Sequence, residues 1–220
     1  MATAREYPIF FGEDVMKKVL MVSLVILTTA AIFPQGAAAE VGIKGGLNIT
    51  TLAYSGTVDW WNNLGYTNGP IFGVFFSLDL GPVTIQPEVF YSRRGSNLKI
   101  NVIDHIVYRS EFLEVPVLVK WNVISGPISP IVFAGPFGAY SFSYKEIKTI
   151  GGETMTTDIR EGHSKSDYGL IFGGGLEYAL KSIKLILEGR YTLGMRNIEY
   201  QSETDSFKNR GFTILAGVGF

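Results

Sequence analysis

Alternation is the feature that most constrains this chain. From Glu40 onward the sequence breaks into segments of about 10 to 14 residues in which apolar and polar side chains take turns, with turn residues between the segments. A period of two places successive side chains on opposite faces of a strand, so each segment offers one apolar and one polar face. In Ile183 to Met195, the positions Ile183, Leu185, Leu187, Gly189, Tyr191 and Leu193 share one face, and Lys184, Glu188, Arg190 and Thr192 the other, with Ile186 the exception. The last segment sets Phe212, Ile214, Ala216, Val218 and Phe220 against Gly211, Thr213, Gly217 and Gly219; the first sets Val41, Ile43, Leu47 and Ile49 against Lys44, Asn48 and Thr50. No apolar face carries a charge. Hydrophobic residues make up 46% of the chain and charged ones only 18%, yet beyond the N-terminal region no apolar run is long enough for a membrane helix. Strands with a lipid face reconcile the two facts.

Strands are expected near 41–54, 70–80, 82–94, 107–121, 128–143, 165–179, 183–196 and 208–220. Eight is an even number, and closing the sheet leaves no edge whose backbone groups face hydrocarbon unpaired. The expected fold is all-β, an eight-stranded antiparallel up-and-down transmembrane barrel. Connections also alternate: Gly81-Pro82, Asn122 to Pro127 and Leu180 to Ser182 are short, whereas Ser55 to Gly69, Gly95 to Ile106, Tyr144 to Ser164 and Asn197 to Phe207 are long and mostly polar. Short periplasmic turns and long external loops give this asymmetry. Trp60, Trp61, Tyr91, Tyr108, Trp121, Tyr140, Tyr144 and Tyr178 cluster near strand ends, and some of them are expected in interfacial girdles. Pro87, Pro116, Pro130 and Pro136 fall inside strands, where bulges or register shifts are the expected accommodation. Ile131 to Phe142 is apolar on both faces, so its inward face is not readable, and Val74 to Leu78 is nearly as apolar.

Met16, Lys17 and Lys18 precede the apolar stretch Val19 to Phe33 and then Ala37-Ala38-Ala39. This order reads as an export signal, cleaved after Ala39, with translation starting at Met16. Residues 1–39 are thus assigned to an extension and signal, and 40–220 to one barrel domain. Lys+Arg number 19 and Asp+Glu 20, a balance with no basic field for nucleic acid. The chain has no cysteine and so no disulfide framework.

The stretch Glu111-Phe112-Leu113-Glu114-Val115-Pro116-Val117-Leu118-Val119-Lys120-Trp121 resembles the PorT-type family of outer-membrane β-barrel proteins. Gly173-Gly174-Gly175-Leu176-Glu177-Tyr178 agrees with that family, as does Leu187-Glu188-Gly189-Arg190-Tyr191 followed by Gly194 and Asn197-Ile198. The likeness runs from Gly42-Ile43-Lys44-Gly45-Gly46-Leu47-Asn48 to Phe220. It implies that Pro116 is a family feature, that Phe220 is a terminal signal read by the barrel-assembly machinery, and that the mature protein sits in the outer membrane of a diderm bacterium. The namesake's link to secretion and gliding does not transfer by fold alone.

With apolar faces outward, Lys44, Glu88, Glu114, Lys120, Glu177, Glu188 and Arg190 point into the lumen. An eight-stranded barrel has room there for side chains and little else, and a charge left alone in it costs several kcal/mol. A paired network filling the lumen is the expectation, with a narrow solute passage as the alternative. Catalysis would need a positioned base and nucleophile. The two histidines, His105 and His163, lie in predicted loops, and Ser164 and Asp167 near His163 read as an ordinary polar loop. Asp158, Glu161 and His163 read as loop surface, so no metal or other cofactor is expected. Gly173-Gly174-Gly175 lacks the Lys-Ser/Thr ending of a phosphate loop and is expected to permit bending or close side-chain approach. A soluble calyx with an apolar ligand is a further alternative; it requires the opposite sorting of faces. Expected partners are outer-membrane lipid and, during biogenesis, the assembly machinery; no nucleic acid partner is expected, and the barrel is expected to be a monomer.

Overall fold

The computed structural model describes residues 39–56, 64–99, 104–124, 126–198 and 205–220, all within one compact unit, Pro34–Phe220. The signal assigned to residues 1–39 lies outside them except for Ala39, as do Trp60 and Trp61. The strands are β1 (Ala39–Ser55), β2 (Leu64–Gly65), β3 (Thr67–Asp79), β4 (Val83–Lys99), β5 (His105–Asn122), β6 (Ile128–Ile150), β7 (Glu153–Asp158), β8 (Ser166–Leu180), β9 (Ile183–Gly194) and β10 (Ser206–Gly219). β1, β3, β4, β5, β6, β8, β9 and β10 pair in that order as antiparallel neighbours, and β10 returns to β1, closing a ring of eight. β2 adds to β4 and β7 to β6 outside the ring. The seam between first and last strands holds from Gly42↔Gly219 to Ser55↔Ser206, and Val41 and Phe220 exchange both backbone hydrogen bonds.

Parity sorts the side chains. Ile43, Leu47, Leu187, Phe212 and Ile214 are each more than half exposed on the outer wall, whereas Lys44, Glu88, Glu188 and Arg190 are buried. The doubly apolar segment of β6 resolves the same way: Ile131, Phe133, Phe137 and Ala139 are buried with Phe112, Leu118, Tyr144 and Ile171, and Val132 and Tyr140 face out. The lumen is therefore partly hydrocarbon, with a second small cluster of Ile71, Phe90 and Leu215.

The strand prolines do not shift the register. Pairing lapses around Phe76/Pro87, Glu88/Pro116 and Val117/Pro136 and resumes in the same alignment on the far side. A missing N–H removes a rung without requiring an extra residue. Pro130 keeps its pairing with Leu176, and its carbonyl accepts from the Val123 N–H at 2.9 Å. The one register shift in the β5–β6 ladder is a bulge between Glu111 and Phe112, with Phe142 as the extra residue.

Two expected loops are largely strand. β4 runs to Lys99 and β5 starts at His105, while Tyr144 to Ser164 contains the end of β6, all of β7 and a 3-10 turn at Arg160–Gly162. The β6–β7 hairpin turns through Gly151 and Gly152, both at positive φ (60° and 84°), the pair of left-handed positions that a two-residue hairpin turn requires. These hairpins continue the strands past the apolar band, where no lipid face is needed and the alternation that marks a strand in lipid is lost.

Because the chain has no cysteine, single-cysteine variants report wall orientation cleanly. L187C and I214C are expected to react with a maleimide dissolved in the bilayer, and S92C and T192C to stay unlabelled in the folded protein; the reverse pattern would invert the barrel.

Candidate functional site: a paired lumen

Each lumenal charge arrives by strand parity and meets its partner by barrel closure. In the middle, Arg190 forks onto Glu88, with Nη1 to Oε2 at 2.5 Å and Nη2 to Oε1 at 2.8 Å, and its Nε donates to Glu188 at 3.0 Å. Lys44 Nζ reaches Glu88 at 2.8 Å and Glu188 at 2.7 Å. Two bases and two acids close a neutral ring whose four side chains are at most 2% exposed. The fork matters because a planar guanidinium satisfies both oxygens of a carboxylate at once.

From this ring the network descends toward the turn end. Gln86 donates to Glu88 at 2.7 Å and accepts from Lys120 at 2.9 Å; Lys120 also pairs with Glu177, and Lys184 links Glu177 at 3.4 Å to Glu40 at 2.5 Å. A cavity of 340 Å³ opens there, bordered by Glu40, Lys120, Glu177, Lys184 and Phe220. Toward the loop end Arg94 pairs with Glu114 and, at 3.2 Å, with Asp167, which also accepts from Asn209 at 2.8 Å. Asn48, Ser92 and Thr213 complete this upper layer, Asn48 donating to Ser92 at 3.0 Å and accepting from Thr213 at 2.8 Å.

Aromatic rings fill the space between charges. Lys44 lies over Phe75, Arg190 over Phe90 and Phe133, and Arg94 over Phe112 and Phe137, at 4.7 to 5.5 Å from the ring centres. Four of these rings lie against lumenal glycines. A Cβ on Gly42 would fall 2.4 Å from Phe75, one on Gly73 2.7 Å from Phe90, one on Gly173 2.8 Å from Phe133, and one on Gly169 2.9 Å from Phe137. Glycine, ring and cation thus form three-layer stacks across the lumen, and cation–aromatic contact is strongest when desolvated.

All seven charges expected in the lumen are buried there and ion-paired. Four further charges belong to the network, Arg94, Asp167, Glu40 and Lys184. The parity of the first two was readable: Arg94 is six residues from Glu88 and Asp167 ten from Glu177. The polar loop group is engaged elsewhere. His163 Nδ1 contacts the Ile159 carbonyl at 2.8 Å and its ring stacks on Tyr144, Ser164 donates to the Ser166 carbonyl at 2.8 Å, and Asp167 belongs to the Arg94 layer. His105 lies at the start of β5, paired with Lys99 and Thr149. Among the described residues, no group of three His, Asp or Glu is placed to hold a metal ion.

Residues 33–200 match the family described as an outer membrane protein beta-barrel domain. The chain belongs to this family. It is an outer-membrane protein, and the greasy wall faces lipid, not an enclosed ligand. Among solved structures it is similar to Neisserial surface protein A (15% identity, 84% of this chain and 98% of that one, TM-score 0.49). It is also similar to Ail, the attachment invasion locus protein of Yersinia pestis (13% identity, 83% and 99%, TM-score 0.42), and to the N-terminal barrel domain of Pseudomonas aeruginosa OprF (11% identity, 84% and 98%, TM-score 0.37). No curated protein matches the chain.

Proposed function

We propose that this protein is a non-enzymatic, closed outer-membrane barrel whose role is structural or is exercised through its external loops. The observation that carries the reading is the neutral Lys44–Glu88–Glu188–Arg190 ring, buried at mid-lumen with every charge answered. A conducting path would have to separate those pairs, and each separation strands a charge out of water. Loop-mediated binding is supported by a 240 Å³ cavity at the loop end, walled by Leu52, Tyr108, Tyr144, Ile159, Ile198 and Phe207, with Glu146 and His163 beside them. In this reading the protein is a PorT-type member, which the likeness of the Glu111 to Trp121 stretch supports; the chain works as a monomer in outer-membrane lipid, and Phe220 is read by the assembly machinery.

The protein reconstituted in a planar bilayer is expected to show no unitary conductance. Discrete current steps would replace this reading with the second one, a narrow solute passage, which is supported by the cavities of 340 Å³ and 240 Å³ at the two ends of the network.

A further inference from the structure

The charges on the outer wall have a pattern of their own. Among the described side chains of the ring strands, the charged ones whose parity points outward are Arg93 on β4, Arg109 and Glu111 on β5, Lys145 on β6, and Lys208 and Arg210 on β10. All lie at the loop end. Glu111 is ten residues above Trp121, and ten residues of strand tilted by about 40° rise roughly 25 Å, the height of the apolar band. These groups therefore sit where hydrocarbon gives way to headgroups.

The bulge builds the most telling part. Without the extra Phe142, the residues of β6 beyond it would reverse faces, turning Lys145 into the lumen and Tyr144 out to lipid. With it, Tyr144 is buried and Lys145 is exposed on the outer wall, directly opposite the exposed Arg109. Like charges facing each other across a ladder repel, and neither makes an ion pair within 4 Å among the described residues. Arg93 beside them is held by Glu111 at 3.1 Å, and Asp158, opposite Lys145 on β7, accepts from the Arg160 backbone N–H at 3.0 Å. Below lies an aromatic shelf, Phe72 stacked on Tyr91 at 4.9 Å and Phe142 tilted against Tyr91 at 5.9 Å.

We propose that Arg109 and Lys145 form an external site for the phosphate of an outer-leaflet lipid headgroup, with the lipid's chains lying against the Phe72–Tyr91–Phe142 shelf. An anion between the two cations converts their repulsion into two charge-assisted contacts, and basic side chains at the membrane surface attract anionic lipid.

The test uses the full folded chain in a nonionic detergent, with bound lipid read by native mass spectrometry. Phosphatidic acid is expected to bind about tenfold more tightly than diacylglycerol of the same chains, the scale of one to two charge-assisted contacts. R109Q/K145Q is expected to erase that preference while keeping the heat-dependent gel shift of a folded barrel. K145E, which sets an acid opposite Arg109, is expected to lose phosphatidic acid yet unfold at a higher temperature. Equal binding of the two lipids, retention of the preference in either variant, or displacement of phosphatidic acid by an equal concentration of inorganic phosphate would overturn the site.

Discussion

Replacing Arg190 with alanine is expected to destabilise the barrel by about 3–5 kcal/mol, the scale of removing one partner from a buried ion pair. Arg190 answers both central acids, and without it Glu88 and Glu188 share Lys44 alone. Its guanidinium also bridges the Phe90 and Phe133 rings, so truncation opens a gap among side chains that have no others to fill it. The midpoint of the unheated-to-heated gel shift in urea is the measurement. An R190M/E88Q variant, which removes one charge of each sign and leaves Lys44 paired with Glu188, is expected to recover much of the loss, because the penalty lies in the stranded carboxylate more than in the missing pair. An R190A midpoint equal to that of the parent would mean that water already reaches the ring.

Gly173→Val is expected to destabilise the barrel beyond the 1–3 kcal/mol of ordinary overpacking. A Cβ there would lie 2.2 Å from the Gly189 carbonyl oxygen and 2.8 to 2.9 Å from the Phe133 ring. A ring can tilt, but the carbonyl belongs to the β8–β9 ladder, and Gly173 is paired with Arg190 across it. The displacement would reach the central ring through its own strand. By contrast, Gly138→Ala meets nothing within 4 Å and is expected to leave the same urea midpoint unchanged. Equal midpoints for the two variants would show that the lumenal stack is loose.

The contrast between these two glycines shows what a sequence of this kind discloses. Lys44, Glu88, Glu188 and Arg190 were legible because each sits opposite an apolar neighbour on a strand that touches lipid, and period two then fixes the face. Ile131 to Phe142 was not, since its inward side is hydrocarbon packed on Phe112, Leu118 and Ile171, and a segment greasy on both sides has no parity contrast. Arg94 and Asp167 have the right parity but lie at the edges of the expected strands 82–94 and 165–179, among polar neighbours that give no apolar contrast. The β6–β7 hairpin lies past the apolar band and needs no lipid face. The bulge at Phe142 is a single residue whose effect appears only when two strands are aligned.

Pro87, Pro116 and Pro136 fall on the successive strands β4, β5 and β6 at positions offset by one, so the rungs they omit run obliquely across one half of the wall, from β3 to β6. The ladders from β6 through β8, β9, β10 and β1 to β3 have no such gap. Pulled from its ends or strained by a thinner bilayer, the cylinder would yield along that oblique line like paper along a perforation, with the stapled first and last strands among the last to part.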